Sequence, residues 1–195
     1  MARKTRNTKG KIVSAAWELF YSQGYDDTTI EEIVERSATS RGSFYHYFKS
    51  KDDLLGSLAY LFDEQYEILA EDLSEDQDTF DTLMYLNREL FSMIEQRIDP
   101  ELISRLYSTQ ITSGGEKSLL DSSRTYYKLL RKLMSRGREK GELTDEMSVS
   151  DMVRLYAMCE RALICEWCLS GFAFSLKDYS ERLLPLLLSG IRSKK

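Results

Sequence analysis

Only two prolines, Pro100 and Pro185, interrupt the 195 residues of this chain, and that scarcity is what most limits the fold. Proline stops a helix because it lacks an N–H and its ring meets the carbonyl four residues back. The long stretches around the two are rich in Leu, Ala, Glu and Lys, which lose little freedom in a helix. The chain is therefore expected to be all-α. With 42% apolar and 30% charged residues, it has the composition of a globular protein rather than a disordered one. The opening "MARKTRNTKGK" is followed by no apolar signal segment. No run approaches the roughly 18 apolar residues of a membrane span, and no membrane partner is expected. The three cysteines, odd in number and crowded together, make a poor disulfide framework and fit a reducing cytoplasm.

The net charge of −5 conceals an asymmetry: residues 1–51 carry +3 and the remainder −8. A basic end on an acidic body points to a polyanion met by that end alone.

That end reads as short helices. Ile12, Ala16, Leu19 and Phe20 fall at helical spacing over Thr8 to Gln23, and Gly24 resembles a left-handed stop with Tyr25 as its apolar follower. Thr29 and Glu32 fit a capping box for a second helix striped by Ile30, Ile33 and Val34, ending near Ser37. After a tight "Ala-Thr-Ser" connection, a third helix spans Arg41 to Phe48. Phe44 and Phe48, one turn apart, anchor it, and Arg41, Ser43, Tyr45, His46 and Tyr47 are left outward. Two short helices, a tight turn and a polar-aromatic second face are what a helix-turn-helix requires. Gly42 costs about 1 kcal/mol against alanine inside a helix. It is either a weak helix start or a bare backbone that DNA or the first helix approaches. Ser50 caps a fourth helix, with Lys51 at its first position. A cation there opposes the helix dipole, unless a phosphate sits at the helix start and both attract it.

The run "TTIEEI" from Thr28, with "SRGSFYHYFKSKDDLL" from Ser40, resembles the DNA-binding domain of the TetR/AcrR family of transcriptional regulators. The similarity is close over residues 8 to 55, and "GREKGEL" from Gly137 resembles the family's turn before its eighth helix. It implies a bacterial, cytoplasmic, all-α homodimer of about nine helices. Residues 1–52 would form the helix-turn-helix domain and residues 53–195 a helical ligand-binding and dimerisation domain. The implied function is a repressor on a palindromic operator in double-stranded DNA, released by a small-molecule effector. Carried over by motif, Thr28 and Thr29 touch a phosphate, and Thr39, Ser40, Arg41 and Ser43 lie near base edges. Tyr45, His46, Tyr47 and Lys51 grip the backbone. Arg41 is the candidate reader of guanine, since its fork spans O6 and N7.

The body reads as one long fourth helix past Leu58 to about Leu73, an acidic break at 74–78, and a fifth helix to Arg97. A sixth runs from Asp99-Pro100 to Ser113, broken at Gly114-Gly115, and a seventh from Ser118 to Lys140. The eighth, capped by Ser148 and Asp151, carries two apolar stripes: Met152, Tyr156, Cys159, Leu163 and Trp167, and Leu155, Met158, Ala162, Cys165 and Leu169. A helix apolar on two sides must be covered on two sides. The ninth, Leu176 to Arg192, contains Pro185. These last two helices are the expected dimer interface.

An effector pocket is expected among Tyr66, Met84, Tyr107, Gln110, Tyr126, Leu130, Met134, Tyr156, Cys159 and Trp167. Glu160 and Arg105 would join as polar groups if they point inward. Each of these also fits plain core. Cys159, Cys165 and Cys168 invite a thiol- or metal-sensing alternative, but no histidine or paired cysteine motif accompanies them and small buried cysteines fit as well. A further alternative is a DNA-tethered factor whose body binds another protein. No enzyme is expected, nor any cofactor, catalytic residue or metal site: the single histidine leaves no nucleophile–base pair to propose.

Overall fold

The computed structural model of the chain describes residues 2–112 and 117–193, with side chains from Thr8 onward. Ten α-helical segments and two short 3-10 turns occupy those residues, with no strand beyond an isolated bridge between Leu143 and Arg192. They form two compact units, residues 1–59 with 105–119, and residues 60–104 with 120–195. The boundary expected between 52 and 53 divides the chain by function; these units divide it by packing.

In the first unit, α1 (Ala2–Gln23) starts six residues before the expected Thr8. Helices α2 (Ile30–Arg36) and α3 (Arg41–Tyr47) follow the expected plan. Ile12, Ala16 and Phe20 of α1 meet in a small core with Ile33, Phe44, Phe48, Leu54 and Leu55, all buried. Each of these side chains larger than alanine contributes about 1.5–3 kcal/mol of burial.

The long fourth helix expected from the sequence is instead two, α4 (Lys51–Leu55) and α5 (Leu58–Glu71). Ser57, buried at the break, donates its hydroxyl and its N–H to the Leu54 carbonyl. Trp17 Nε1 of α1 donates to that same hydroxyl at 2.9 Å. The Leu54 carbonyl is thus satisfied without a continuous helix, and the Trp17 indole gains its partner.

In the second unit, α6 (Thr79–Arg97) and α9 (Val149–Leu169) occupy nearly the expected ranges. Helix α7 (Pro100–Thr112) begins at the expected proline and contributes residues to both units. Its expected end at Ser113 and the break at Gly114-Gly115 lie outside the described residues. The single helix expected from Ser118 is a 3-10 turn, Ser118–Leu120, followed by α8 (Thr125–Glu139). No side chain of its own caps α8. Asp63 of α5 does so instead, accepting Tyr126 N–H at 3.1 Å while gripping Arg124 through two bonds of 3.0 Å. The last helix, α10 (Leu176–Leu187), contains Pro185 and yields to a 3-10 turn, Ser189–Ile191. Glu95 of α6 accepts the N–H groups of Leu176 and Lys177 at 2.7 and 3.1 Å, tying the start of α10 down. Gly137 explains its place in the family-like turn: a Cβ there would lie 2.8 Å from the Thr79 side chain, so α6 and α8 touch through a missing methyl.

Besides Asp63, the core of this unit holds a second carboxyl. Glu160 of α9 is 4% exposed. It accepts from Asn87 Nδ2 at 2.8 Å and from the Tyr126 hydroxyl at 2.6 Å, and the Ser180 hydroxyl donates to Asn87 Oδ1 in turn. Burial pushes the carboxyl above its ordinary range, and the bonds from Tyr126 and Asn87 oppose this only in part. The folded state therefore holds this proton more tightly than the unfolded one. Its contribution to stability is complete below the ordinary pKa of 4.5 and is lost as pH rises through the raised folded value. Glu160→Gln keeps the shape and removes the titration, so its stability relative to wild type is expected to rise steadily as pH increases from 4 to 8. Urea unfolding across that range measures the difference, and parallel profiles would refute the assignment.

Candidate nucleic-acid interface and effector-binding body

The helix-turn-helix is built from local bonds. Thr29 caps α2 by accepting Glu32 N–H at 3.2 Å, and the Glu32 carboxylate accepts the Thr29 N–H and hydroxyl, both at 2.8 Å. Those bonds from Thr29, aided by Gln23, hold the Glu32 carboxyl below its usual range. In the turn, Ala38 sits at φ +50°, a left-handed conformation that costs a β-carbon about 1–2 kcal/mol. Bonds on both sides hold it: Thr39 N–H to Val34 O at 3.1 Å, and the Ser37 and Thr39 hydroxyls at 2.8 Å. Ser40 then caps α3 by accepting Ser43 N–H at 3.1 Å.

This scaffold leaves Arg41, Gly42, Tyr45 and His46 exposed on α3, with Ser43 and Tyr47 half-buried beside them. The Tyr45 ring rests edge-on against buried Phe44 at 5.4 Å, and His46 against Tyr47 at 4.7 Å. Anchors and outward face are thus as expected from the sequence. Arg41 pairs with Glu31 of α2. An exposed pair is worth at most about 1 kcal/mol, whereas a bidentate contact to guanine gives about 1–3 kcal/mol of discrimination. A base can therefore outcompete the glutamate.

Three expected contacts have other partners here. Thr28 is 1% exposed, its hydroxyl donating to Gly24 O at 2.7 Å, so it faces the interior rather than a phosphate. The Thr29 N–H and hydroxyl are both taken by Glu32. Lys51, expected on the DNA backbone, turns inward: its ammonium donates to the carbonyls of Tyr25, Asp26 and Thr28 and lies 4.3 Å from the centre of the Tyr25 ring. Burial lowers its pKa. The start of α4 carries Asp52 and Asp53, not a cationic cradle for phosphate. Arg105, a candidate for the effector pocket, lies in the first unit, paired with Asp26 and stacked 4.9 Å from the Tyr25 ring. Tyr25, read from the sequence only as an apolar follower of Gly24, is the hub of this cluster; its hydroxyl donates to Asp52. The missed signal was three charged residues at 26, 51 and 52 that no helix face required.

Of the expected pocket residues, Tyr66, Tyr126, Leu130, Met134, Tyr156, Cys159, Glu160 and Trp167 are buried in the second unit, and Met84 is half-buried. Tyr66 and Tyr126 stack at 5.0 Å, and Tyr156 donates to Leu83 O at 2.8 Å. Tyr107 and Gln110 belong to the first unit. All three cysteines are free; burial raises each thiol, that of Cys168 to about 11. Little thiolate is then present near neutrality, which disfavours sensing through these sulfurs.

Gly42 resolves one open question. A Cβ there would meet only the Ser40 hydroxyl, at 3.8 Å, so α1 does not need the bare backbone. Gly42→Ala is expected to stabilise the free protein by up to about 1 kcal/mol while weakening DNA binding at least tenfold. Thermal unfolding and a DNA-binding titration read the two effects; undiminished affinity would reduce Gly42 to a weak helix start.

Residues 12–58 match the model of the bacterial regulatory proteins of the tetR family. Over nearly its whole length the chain is similar to two characterised proteins. One is the fatty acid metabolism regulator protein of Bacillus subtilis, 23% identical over 185 residues, covering 94% of this chain and 95% of that one. The other is the HTH-type transcriptional regulator TtgR of Pseudomonas putida, 27% identical over 208 aligned positions, covering 98% and 97%. In fold it resembles Thermus thermophilus FadR, a TetR-family repressor crystallised with lauroyl-CoA. That match has a TM-score of 0.76 at 23% identity and covers 95% of this chain and 96% of that one. The helix-turn-helix of residues 12–58 is that of the tetR family of bacterial regulatory proteins, and with its outward polar-aromatic face and these similarities it makes the chain a DNA-binding transcriptional regulator.

Proposed function

We propose that this regulator is a homodimeric repressor that holds a palindromic operator and is released from it by an amphipathic small molecule. The observation that carries the dimer is the second stripe of α9. Met158, Ala162 and Leu169 are exposed and Leu155 and Cys165 half-buried, while every member of the first stripe is buried. On α10, Leu186 and Leu187 are likewise exposed, at 70% and 51%. Large apolar side chains clustered in water mark an interface, and a two-fold pair of such faces presents two copies of α3 to two half-sites. In the DNA contact, Arg41 reads a base, Ser40 and Ser43 border the base edges with Thr39, and Tyr45, His46 and Tyr47 hold phosphates.

The effector class we infer is an acyl thioester of coenzyme A. The lauroyl-CoA bound by the Thermus protein and the fatty-acid role of the Bacillus regulator support it. So does the apolar interior around Leu130, Met134 and Trp167, which would receive the acyl chain once repacked.

The variant Met158→Glu/Leu186→Glu places charges on the exposed stripe without touching the core. It is expected to sediment as a monomer, keep its helical content, and lose at least about 100-fold in affinity for an inverted repeat selected from genomic fragments by the wild type. A variant that remains dimeric would remove this interface; selection of a lone half-site by the wild type would remove the palindrome.

A further inference from the structure

An open groove of about 470 Å³ runs between α8 and α9 in the second unit. Its charged lining is Arg131, Arg154 and Arg161, with no carboxylate among the lining residues. That is anomalous for its surroundings, since the chain beyond residue 51 carries a net charge of −8. Three guanidiniums facing one space repel one another unless an anion joins them, and among the described residues none of the three is in an ion pair.

Two of the arginines are positioned by neutral partners. Arg131 Nη2 donates to Ser122 O at 2.7 Å, and Arg161 Nη1 donates to the Tyr127 hydroxyl at 3.2 Å. Each bond fixes a guanidinium while leaving its other N–H groups to a ligand. Arg154 and Arg161 are seven residues apart, two turns along one face of α9. Ser150 adds a hydroxyl one turn before Arg154, and Leu120 and Val153 supply an apolar wall. Arg154 and Arg161 lie about 40–80° around α9 from Met158 and Leu169, beside the exposed stripe rather than on it.

Arginine forks match phosphate oxygens in pairs. A pyrophosphate offers three spread forks more oxygens over a longer span than a single phosphate does, and an aromatic ring joined to it would meet the apolar wall. We propose that this groove binds the pyrophosphate-bearing, nucleotide-like head group of the effector, with Arg131, Arg154 and Arg161 as its phosphate ligands. This rests on the ligand-responsive reading above and assigns the charged half of that ligand a site of its own.

The test is calorimetry on the full-length protein with coenzyme A, 3′,5′-ADP, inorganic pyrophosphate and sodium laurate, beside operator binding. Coenzyme A is expected to bind, with an affinity that falls steeply as salt rises. Arg154→Gln should weaken it about tenfold or more and Arg154→Lys less. Arg131→Gln/Arg154→Gln/Arg161→Gln should abolish it, with operator affinity unchanged. Laurate binding, if present, should not change. Should the triple variant fail to fold, exposed Arg154 alone carries the comparison through its glutamine and lysine forms. Coenzyme A binding that Arg154→Gln leaves unchanged would overturn the proposal. So would inorganic pyrophosphate binding as tightly as coenzyme A, or no binding of coenzyme A at all. If coenzyme A binds as described but neither it nor lauroyl-CoA releases the operator, the groove stands and the effector reading falls.

Discussion

The DNA-binding unit depends on one ammonium group. Lys51 Nζ donates to three carbonyls of the segment that leads from α1 into α2, and an ammonium has three hydrogens to give. The partners lie where α1 has ended at Gly24 and α2 has not begun; the Tyr25 carbonyl also accepts the Thr28 N–H, and the Asp26 carbonyl belongs to an exposed residue. By joining the three carbonyls, Lys51 fixes where Thr29 stands and therefore where α2 starts; α2 sets the turn at Ala38, and the turn sets α3. The Tyr25 ring lies beneath the ammonium, with its hydroxyl on Asp52 and Arg105 stacked on it. A residue that looks like a phosphate ligand by position is thus bound to the segment that leads into the helix-turn-helix.

What could be read from the residues was whatever local rules decide. The capping box at Thr29 and Glu32, the caps at Ser40, Ser50 and Ser148, and the two stripes of α9 depend on neighbours within a turn or two, and the structure has all of them. The break at Gly56-Ser57 could not be read that way, because it depends on Trp17, forty residues earlier, offering an indole N–H to Ser57. The start of α8 likewise waits on Asp63 from another helix. Periodicity says which face is apolar; it does not say which polar group from elsewhere will satisfy a freed carbonyl or N–H.

The same limit governs the body. The expected pocket residues were chosen as large and amphipathic, and most are buried in the second unit, but sequence spacing cannot distinguish a lining from a filling. Here Glu160, Tyr126 and Asn87 fill their space with one another's hydrogen bonds. That network ties three helices at a site where an unpaired carboxylate would be intolerable, and it is satisfied without any ligand. An effector that enters there must exchange these bonds for its own or leave them intact and displace only apolar neighbours. Displacing Leu130 or Met134 breaks no hydrogen bond, so an acyl chain perturbs this interior less than a polar ligand would.

Charge leads to the same division of labour. An apolar chain alone gains affinity in proportion to the area it buries and discriminates poorly between ligands of nearly equal length, since one methylene is worth only about 1–3 kcal/mol. A charged head placed against arginines adds bonds that a free fatty acid cannot make with the same geometry. Arg154 and Arg161 stand on the helix that also carries buried Glu160 and the exposed Met158 and Leu169. One helix therefore touches the groove, the core and the outward stripe on successive faces. A ligand held along α9 bears on the same rigid element that any partner subunit on its outer stripe would grip, which gives the body a direct physical route from ligand to dimer geometry.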